Sequence, residues 1–174
     1  IIDAETYRTA TEINEAIRSH DAAAQLLGVV ELVEYPIAFH YHGLRCKARL
    51  DGIAEKHHII IDIKTSRDPY PKQWSRQAYQ LGYHRQVRWY QEAASFHFGS
   101  MMRFIFIVVD TAPPHDVFCY ELDGDAIALG EHENDVAINS FTAALADPDF
   151  DWTHPESKGI RTLSLPKWAG KDDV

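Results

Sequence analysis

A chain of 174 residues fits one domain, and 45% apolar residues suffice for a core without disulfides or a structural metal. There is no CxxC pair to hold a zinc ribbon or an iron–sulfur cluster, and Cys46 and Cys119 lie in apolar, strand-like runs as small hydrophobes of a reducing compartment. The net charge of −9 argues against a simple nucleic-acid binder, but Arg45 to Arg88 holds ten basic residues against four acids, a net +6 against −15 elsewhere. A basic middle in an acidic shell suits a polyanion channel, the alternative being a solvated charged helix face.

From Ala4 to Leu27, the apolar residues Ile13, Ile17, Ala24 and Leu27 recur at helical spacing, with Gly28 as a stop. Two short helices are expected to meet near Ser19-His20-Asp21, with Ser19 or Asp21 capping the second. Val29 to Phe39 reads as a strand, interrupted or edged at Pro36. Tyr41-His42-Gly43 turns into a second strand, Leu44 to Ile53, and Glu55 to His58 is a polar turn into a third, Ile59 to Lys64. Short turns between the three predict an antiparallel meander. Thr65 to Pro71 is a loop, followed by a helical stretch from about Gln73 to Phe98, bent near Gly82. Arg103 to Val109 and Phe118 to Leu122 read as strands and Asp125 to Ala146 as a helix. The turn-rich tail carries an apolar run, Leu163 to Trp168, that must pack somewhere. The order predicts one α/β domain spanning residues 1–174, a mixed β-sheet flanked by helices.

The longest apolar run, Phe104 to Val109, is far short of the roughly 20 residues that cross a bilayer. The N-terminus lacks the charged-then-apolar order of a signal peptide, so no membrane association is expected and a cytoplasmic location is. The opening Ile1-Ile2 without methionine suggests a piece of a longer polypeptide.

Asp51 closes the second strand, and Asp62 and Lys64 lie two apart on the third, hence on one face, with Ile63 on the other. Pairing of the two strands brings Asp51 beside Asp62. Two carboxylates with a backbone carbonyl and waters make a hard oxygen site for Mg²⁺ or Mn²⁺ rather than zinc. A lysine beside the metal can orient an attacking water, and the metal can polarise a phosphoryl oxygen. The alternative is a structural Asp–Lys ion pair at a sheet edge. On the next helix, Tyr79, Tyr83, Gln86 and Tyr90 form a polar-aromatic stripe flanked by Arg85 and Arg88, with Gln86 and Tyr90 four apart. Such donors suit phosphates and sugars, and such rings suit a terminal base.

Asp51…Asp62-Ile63-Lys64 followed by Gln86-x-x-x-Tyr90 resembles the PD-(D/E)xK nuclease superfamily in its RecB-like branch. The stretches "CKARLDGIAEKHHIIIDIKTSRDP" and "YQLGYHRQVRWYQEA", with the later "IRTLSLPKWA", are similar to the exonuclease VIII (RecE) family of phage-type recombination nucleases, over about Thr6 to Trp168. The resemblance implies a PD-(D/E)xK core and ATP-independent, Mg²⁺-dependent 5′→3′ digestion of linear double-stranded DNA from its ends. It also implies a toroidal homo-oligomer and a single-strand annealing protein as partner. By motif match, Asp51 and Asp62 would be metal ligands, Ile63 would add its backbone carbonyl, Lys64 would be the catalytic lysine, and Gln86 and Tyr90 would hold the DNA end or the active-site helix. Tyr83, Arg85 and Arg88 are expected to join Tyr90 in binding DNA. The family has a further active-site histidine on an upstream helix. His20 lies too close to Asp51 to match it, and that helix would precede Ile1. Rival readings are a structure-specific or restriction-type endonuclease on the same fold and a catalytically silent DNA-binding subunit.

Glu34, on the strand before Asp51, could add a carboxylate to the metal or face solvent. His40 and His42 resemble half a metal site without a third ligand, and His57 and His58 belong to a turn. Ser19-His20-Asp21 cannot form a relay because the three are consecutive. Lys64-Thr65 lacks the glycines of a phosphate-binding loop, so no nucleotide binding or ATP dependence is expected.

Overall fold

The computed structural model describes residues 3–153, 157 and 159–164. Its longest pairing is a hairpin of β1 (Leu32–Tyr41) and β2 (Leu44–Ala54), in register from Leu32↔Ile53 to Tyr41↔Leu44. His42 and Gly43 both have positive φ (46° and 79°), which matches the right-handed twist of the strands that they join. Along the hairpin, Tyr35, Ile37 and Phe39 alternate with Pro36, Ala38 and His40, so one face is core and the other is open. Pro36 does not interrupt the strand. β1 is an edge, where a missing N–H is tolerated.

One 3₁₀ turn (Glu55–His57) and a left-handed His58 lead into β3 (Ile59–Ser66), antiparallel to β2. Two helices, α1 (Pro71–Gln80) and α2 (Tyr83–Phe98), then carry the chain to β4 (Arg103–Asp110), parallel to β3 from Ile59↔Arg103 to Ser66↔Asp110. β5 (Val117–Tyr120) returns antiparallel to β4. The result is a five-stranded mixed sheet in sequential order, flanked by helices as expected. The N-terminal pair of helices is αA (Ala4–Ser19) and αB (Asp21–Gly28), and αC (Gly124–Ala146) follows β5.

A core of Ile37, Phe39, Leu50, Ile53, Ile60, Phe104 and Phe106 lies against Trp74 of α1 and Val87, Ala93 and Ala94 of α2. A smaller cluster on the other side joins Ile17 of αA and Ala23 of αB to Ile61, Ile107 and Val109. αC packs across α2 at close range: a Cβ on Gly130 would stand 2.2 Å from the His84 carbonyl oxygen.

Two local expectations are corrected. The stretch from Gln73 to Phe98 is two helices, because Gly82 takes φ 70° and restarts the chain as α2. The αA–αB junction is capped by neither Ser19 nor Asp21. αA runs through Ser19, Asp21 already begins αB, and His20 Nδ1 accepts from the Ala23 N–H at 3.2 Å. In the tail, Leu163 is almost fully exposed, and the rest of the apolar run, Leu165 to Trp168, lies outside the described residues. Among the described residues, no helix is long and apolar enough to cross a membrane.

Candidate metal-dependent active site

The antiparallel ladder of β2 and β3 has its last paired residues at Gly52↔Ile61. Asp51 and Asp62 are the next residues along that register, at the fork where the strands part. The register therefore puts the two aspartates at facing positions of adjacent strands. The Asp51 charge acts on Asp62, helping to raise its pKa.

Asp62 is 1% exposed. Burial is the first cause of its raised pKa, Asp51 adds to it, and Lys64 and Gln86 oppose it. Oδ1 accepts a hydrogen bond from Gln86 Nε2 at 2.8 Å. Oδ2 stands 2.7 Å from Lys64 Nζ as an ion pair, and a carboxylate oxygen with one such partner keeps acceptor capacity. Lys64 Nζ also lies 5.0 Å from the centre of the Tyr83 ring, which favours a fixed cation. β3 therefore supplies Asp62 and Lys64, β2 supplies Asp51, and α2 closes the site with Tyr83, Gln86 and Tyr90. Burial raises the pKa of the Tyr90 hydroxyl, and a hydrogen bond with Gln86 opposes the rise.

These donors fit a divalent cation. The Lys64 ammonium balances only one of two neighbouring carboxylates, and the second negative charge is costly beside a buried one unless another cation offsets it. Among the described residues, no group of three or more His, Cys, Asp or Glu converges to hold a metal. Two carboxylates and a carbonyl match Mg²⁺, which keeps waters and takes substrate phosphates, better than zinc.

Ile63 is largely exposed and, with Asp51, fronts an open recess of about 450 Å³ bounded by Arg18, Leu27, Val30 and Val33. Arg18 was not singled out from sequence. It lies on αA, far from the motif in the chain, and no spacing rule connects the two. A separate cleft of about 320 Å³, lined by Trp74, Tyr79, Tyr120 and Leu129, contains none of the motif residues.

Other expected members stand elsewhere. Glu34 takes φ 49° opposite Asp51, and its exposed carboxylate pairs with Arg49 Nε at 2.9 Å instead of turning inward. Of the two arginines only Arg85 stands beside Gln86 and Tyr90, with which it lines a shallow recess. Its guanidinium also meets Glu133 of αC at 3.4 Å, whereas Arg88 turns to the other side of α2, held by Glu92 and Glu131. Tyr79 belongs to α1 and stacks on His84, so it is outside the stripe. His40 and His42 do not form a metal pair: His42 meets Asp135 at 3.1 Å, while the His40 ring neighbours Phe96.

Comparison with known proteins agrees with this fold. The family described as "PDDEXK-like domain of unknown function (DUF3799)" matches residues 1–147. No curated protein matches the sequence. A crystal structure from Eubacterium rectale, described as a "Putative exonuclease", has a similar fold, with a TM-score of 0.64 at 14% identity. The alignment covers 97% of this chain and 66% of that protein, so the chain spans just under two thirds of its length.

Proposed function

The chain belongs to the PDDEXK-like family of unknown function (DUF3799), and from that premise we propose that it is a divalent-metal-dependent nuclease hydrolysing DNA phosphodiesters. The observation that carries this reading is the fork that sets Asp51 beside Asp62, with Lys64 ion-paired to Asp62 at 2.7 Å.

In this reading the carboxylates of Asp51 and Asp62 and the carbonyl of Ile63 hold Mg²⁺, or Mn²⁺ in its place. The bound metal supplies Lewis acidity toward the phosphoryl oxygen and lowers the pKa of water. Lys64, fixed between Asp62 and the Tyr83 ring, orients the attacking water and offsets negative charge developing on the phosphate. Gln86 holds Asp62 in place through Oδ1. Tyr83 and Tyr90 present rings and a hydroxyl to the terminal nucleotide.

The finer form of the proposal is an ATP-independent exonuclease of the RecE type. It would digest linear duplex DNA 5′→3′ as a single nuclease domain, in a toroidal homo-oligomer that works with a single-strand annealing protein. Its support is the similarity of the segments Cys46–Pro69 and Tyr79–Ala93 to that family. The test is incubation with end-labelled linear and covalently closed circular duplex DNA, with Mg²⁺ or EDTA. Mg²⁺-dependent loss of linear DNA alone is expected. Cutting of closed circles would replace the exonuclease with an endonuclease, and binding without cleavage would leave a silent DNA-binding subunit.

A further inference from the structure

The hairpin of β1 and β2 carries no carboxylate from Tyr35 to Leu50, although the chain as a whole is at −9. Its outward face has Arg45, Lys47 and Arg49 at alternate positions of β2, all exposed. Across the ladder they stand opposite His40, Ala38 and Pro36, so two of the three face neighbours too small or too short to cover them. Among the described residues, no ion pair involves Arg45 or Lys47. Arg49 pairs with Glu34 at the surface, where both side chains are well exposed and such a pair is weak enough to exchange for another anion. Asp135 of αC meets the hairpin only at its tip, through Tyr41 and His42.

Two further features turn this row into a site. A shallow trough of about 630 Å³ is lined by Ala38, Phe39, His40, Arg45, Lys47 and Phe96. Phe96, at the edge of α2, is 57% exposed, with its ring 6.1 Å from that of His40. Cations beside an open aromatic ring are what an unpaired nucleic-acid strand requires: charge for its backbone and a π-face for a base. The row runs along β2 toward Asp51, about 20 Å from Arg45 at the rise of a strand, and the alternation of faces breaks just before it, at the unpaired Glu34 and Asp51, since Leu50 and Ile53 both enter the same core. Asp51 fronts the recess at the fork.

We propose that the outer face of the β1–β2 hairpin is a docking track for an unpaired stretch of DNA strand, whose phosphates meet Arg45 and Lys47 and whose base stacks on Phe96, and that the track leads to Asp51. This rests on the nuclease reading and adds a surface to it. The track takes over the role that the sequence had given to Arg88.

The experiment measures affinity for blunt duplexes and for duplexes with single-stranded tails over a salt series, with Ca²⁺ in place of Mg²⁺. The proteins are the parent, Arg45→Gln/Lys47→Gln, Phe96→Ala and Phe96→Tyr, with Lys72→Gln/Arg76→Gln on α1 as an equal change of charge elsewhere. The hairpin double variant is expected to flatten the salt slope for tailed DNA by about 1.4, the share of two phosphate contacts to a single strand. Phe96→Ala should weaken tailed DNA about fivefold or more and Phe96→Tyr should restore it. Blunt duplexes should respond less to each. An unchanged slope, or an equal loss in the α1 control, overturns the track. The two readings fail separately. Mg²⁺-dependent cleavage by the parent with an unaltered hairpin slope removes only the track. A hairpin effect on binding in a protein that never cleaves removes only the nuclease.

Discussion

Gln86 Nε2 donates to Asp62 Oδ1 at 2.8 Å, so helix α2 grips the buried carboxylate of β3 directly. Gln86→Ala would leave that oxygen without a donor where water does not replace one. Stability in EDTA should fall by about 1–3 kcal/mol, read by urea unfolding at neutral pH. A loss too small to measure would mean that Asp62 is held by Lys64 and packing alone.

Asp62 stores a destabilising charge. Burial puts its folded pKa above the ordinary 3.8, so the folded state binds its proton more tightly than the unfolded chain does. Stability is therefore lost as pH rises from about that value through the raised one, and the penalty stays constant above. Asp62→Asn should make the metal-free protein more stable at neutral pH, by about 0.5–2 kcal/mol, while abolishing stabilisation by Mg²⁺. The difference should vanish in acid, where the parent is protonated. Thermal melts with EDTA or Mg²⁺ across pH check this. A variant less stable than the parent in EDTA at neutral pH would contradict it.

Lys64→Ala should reduce single-turnover cleavage by at least about 100-fold, with DNA affinity nearly kept, since its charge acts on the transition state. Turnover near that of the parent would reduce the Asp62–Lys64 contact to a structural ion pair.

Arg88 is 13% exposed and is bound by Glu92 and Glu131, which ties α2 to αC. Arg88→Ala should cost about 1–3 kcal/mol through the carboxylates left behind and should leave the salt slope of DNA binding unchanged. Denaturant melts and the salt series distinguish this from a phosphate contact. A flattened slope at parental stability would restore the phosphate role.

The three-strand meander and the motif were legible because both are local. The alternation in β1 and β2, the β-branched run of β3, and the spacing Asp51…Asp62-x-Lys64 each lie within a few residues or one hairpin. What could not be read was the side of α2 on which each arginine ends up. A helix with charges all round does not announce its partner, and Glu131 and Glu133, which claim Arg88 and Arg85, come from a helix some 45 residues later. Glu34 was lost to a single backbone angle, φ 49°, which no residue type at that position signals. Arg18 and Phe96 reach their surfaces only through tertiary packing.

The parallel pairing of β3 with β4 separates two stages in the assembly of the molecule. The meander of β1, β2 and β3 closes through short turns, whereas β4 can dock on β3 only after residues 67–102 have been drawn back across the sheet, a larger loss of chain entropy. Asp51, Asp62 and Lys64 thus belong to the part with local contacts, and Gln86 and Tyr90 to the part that arrives with the crossover. Folding kinetics should show this as a division of labour. Destabilising changes in the β2–β3 turn region would slow folding, and changes in the β4–β5 pair would mainly speed unfolding. The reverse pattern in a chevron would mean that the crossover leads. In the expected order, the acidic residues meet while still open to water, and the chain seals Asp62 from solvent only in its last step.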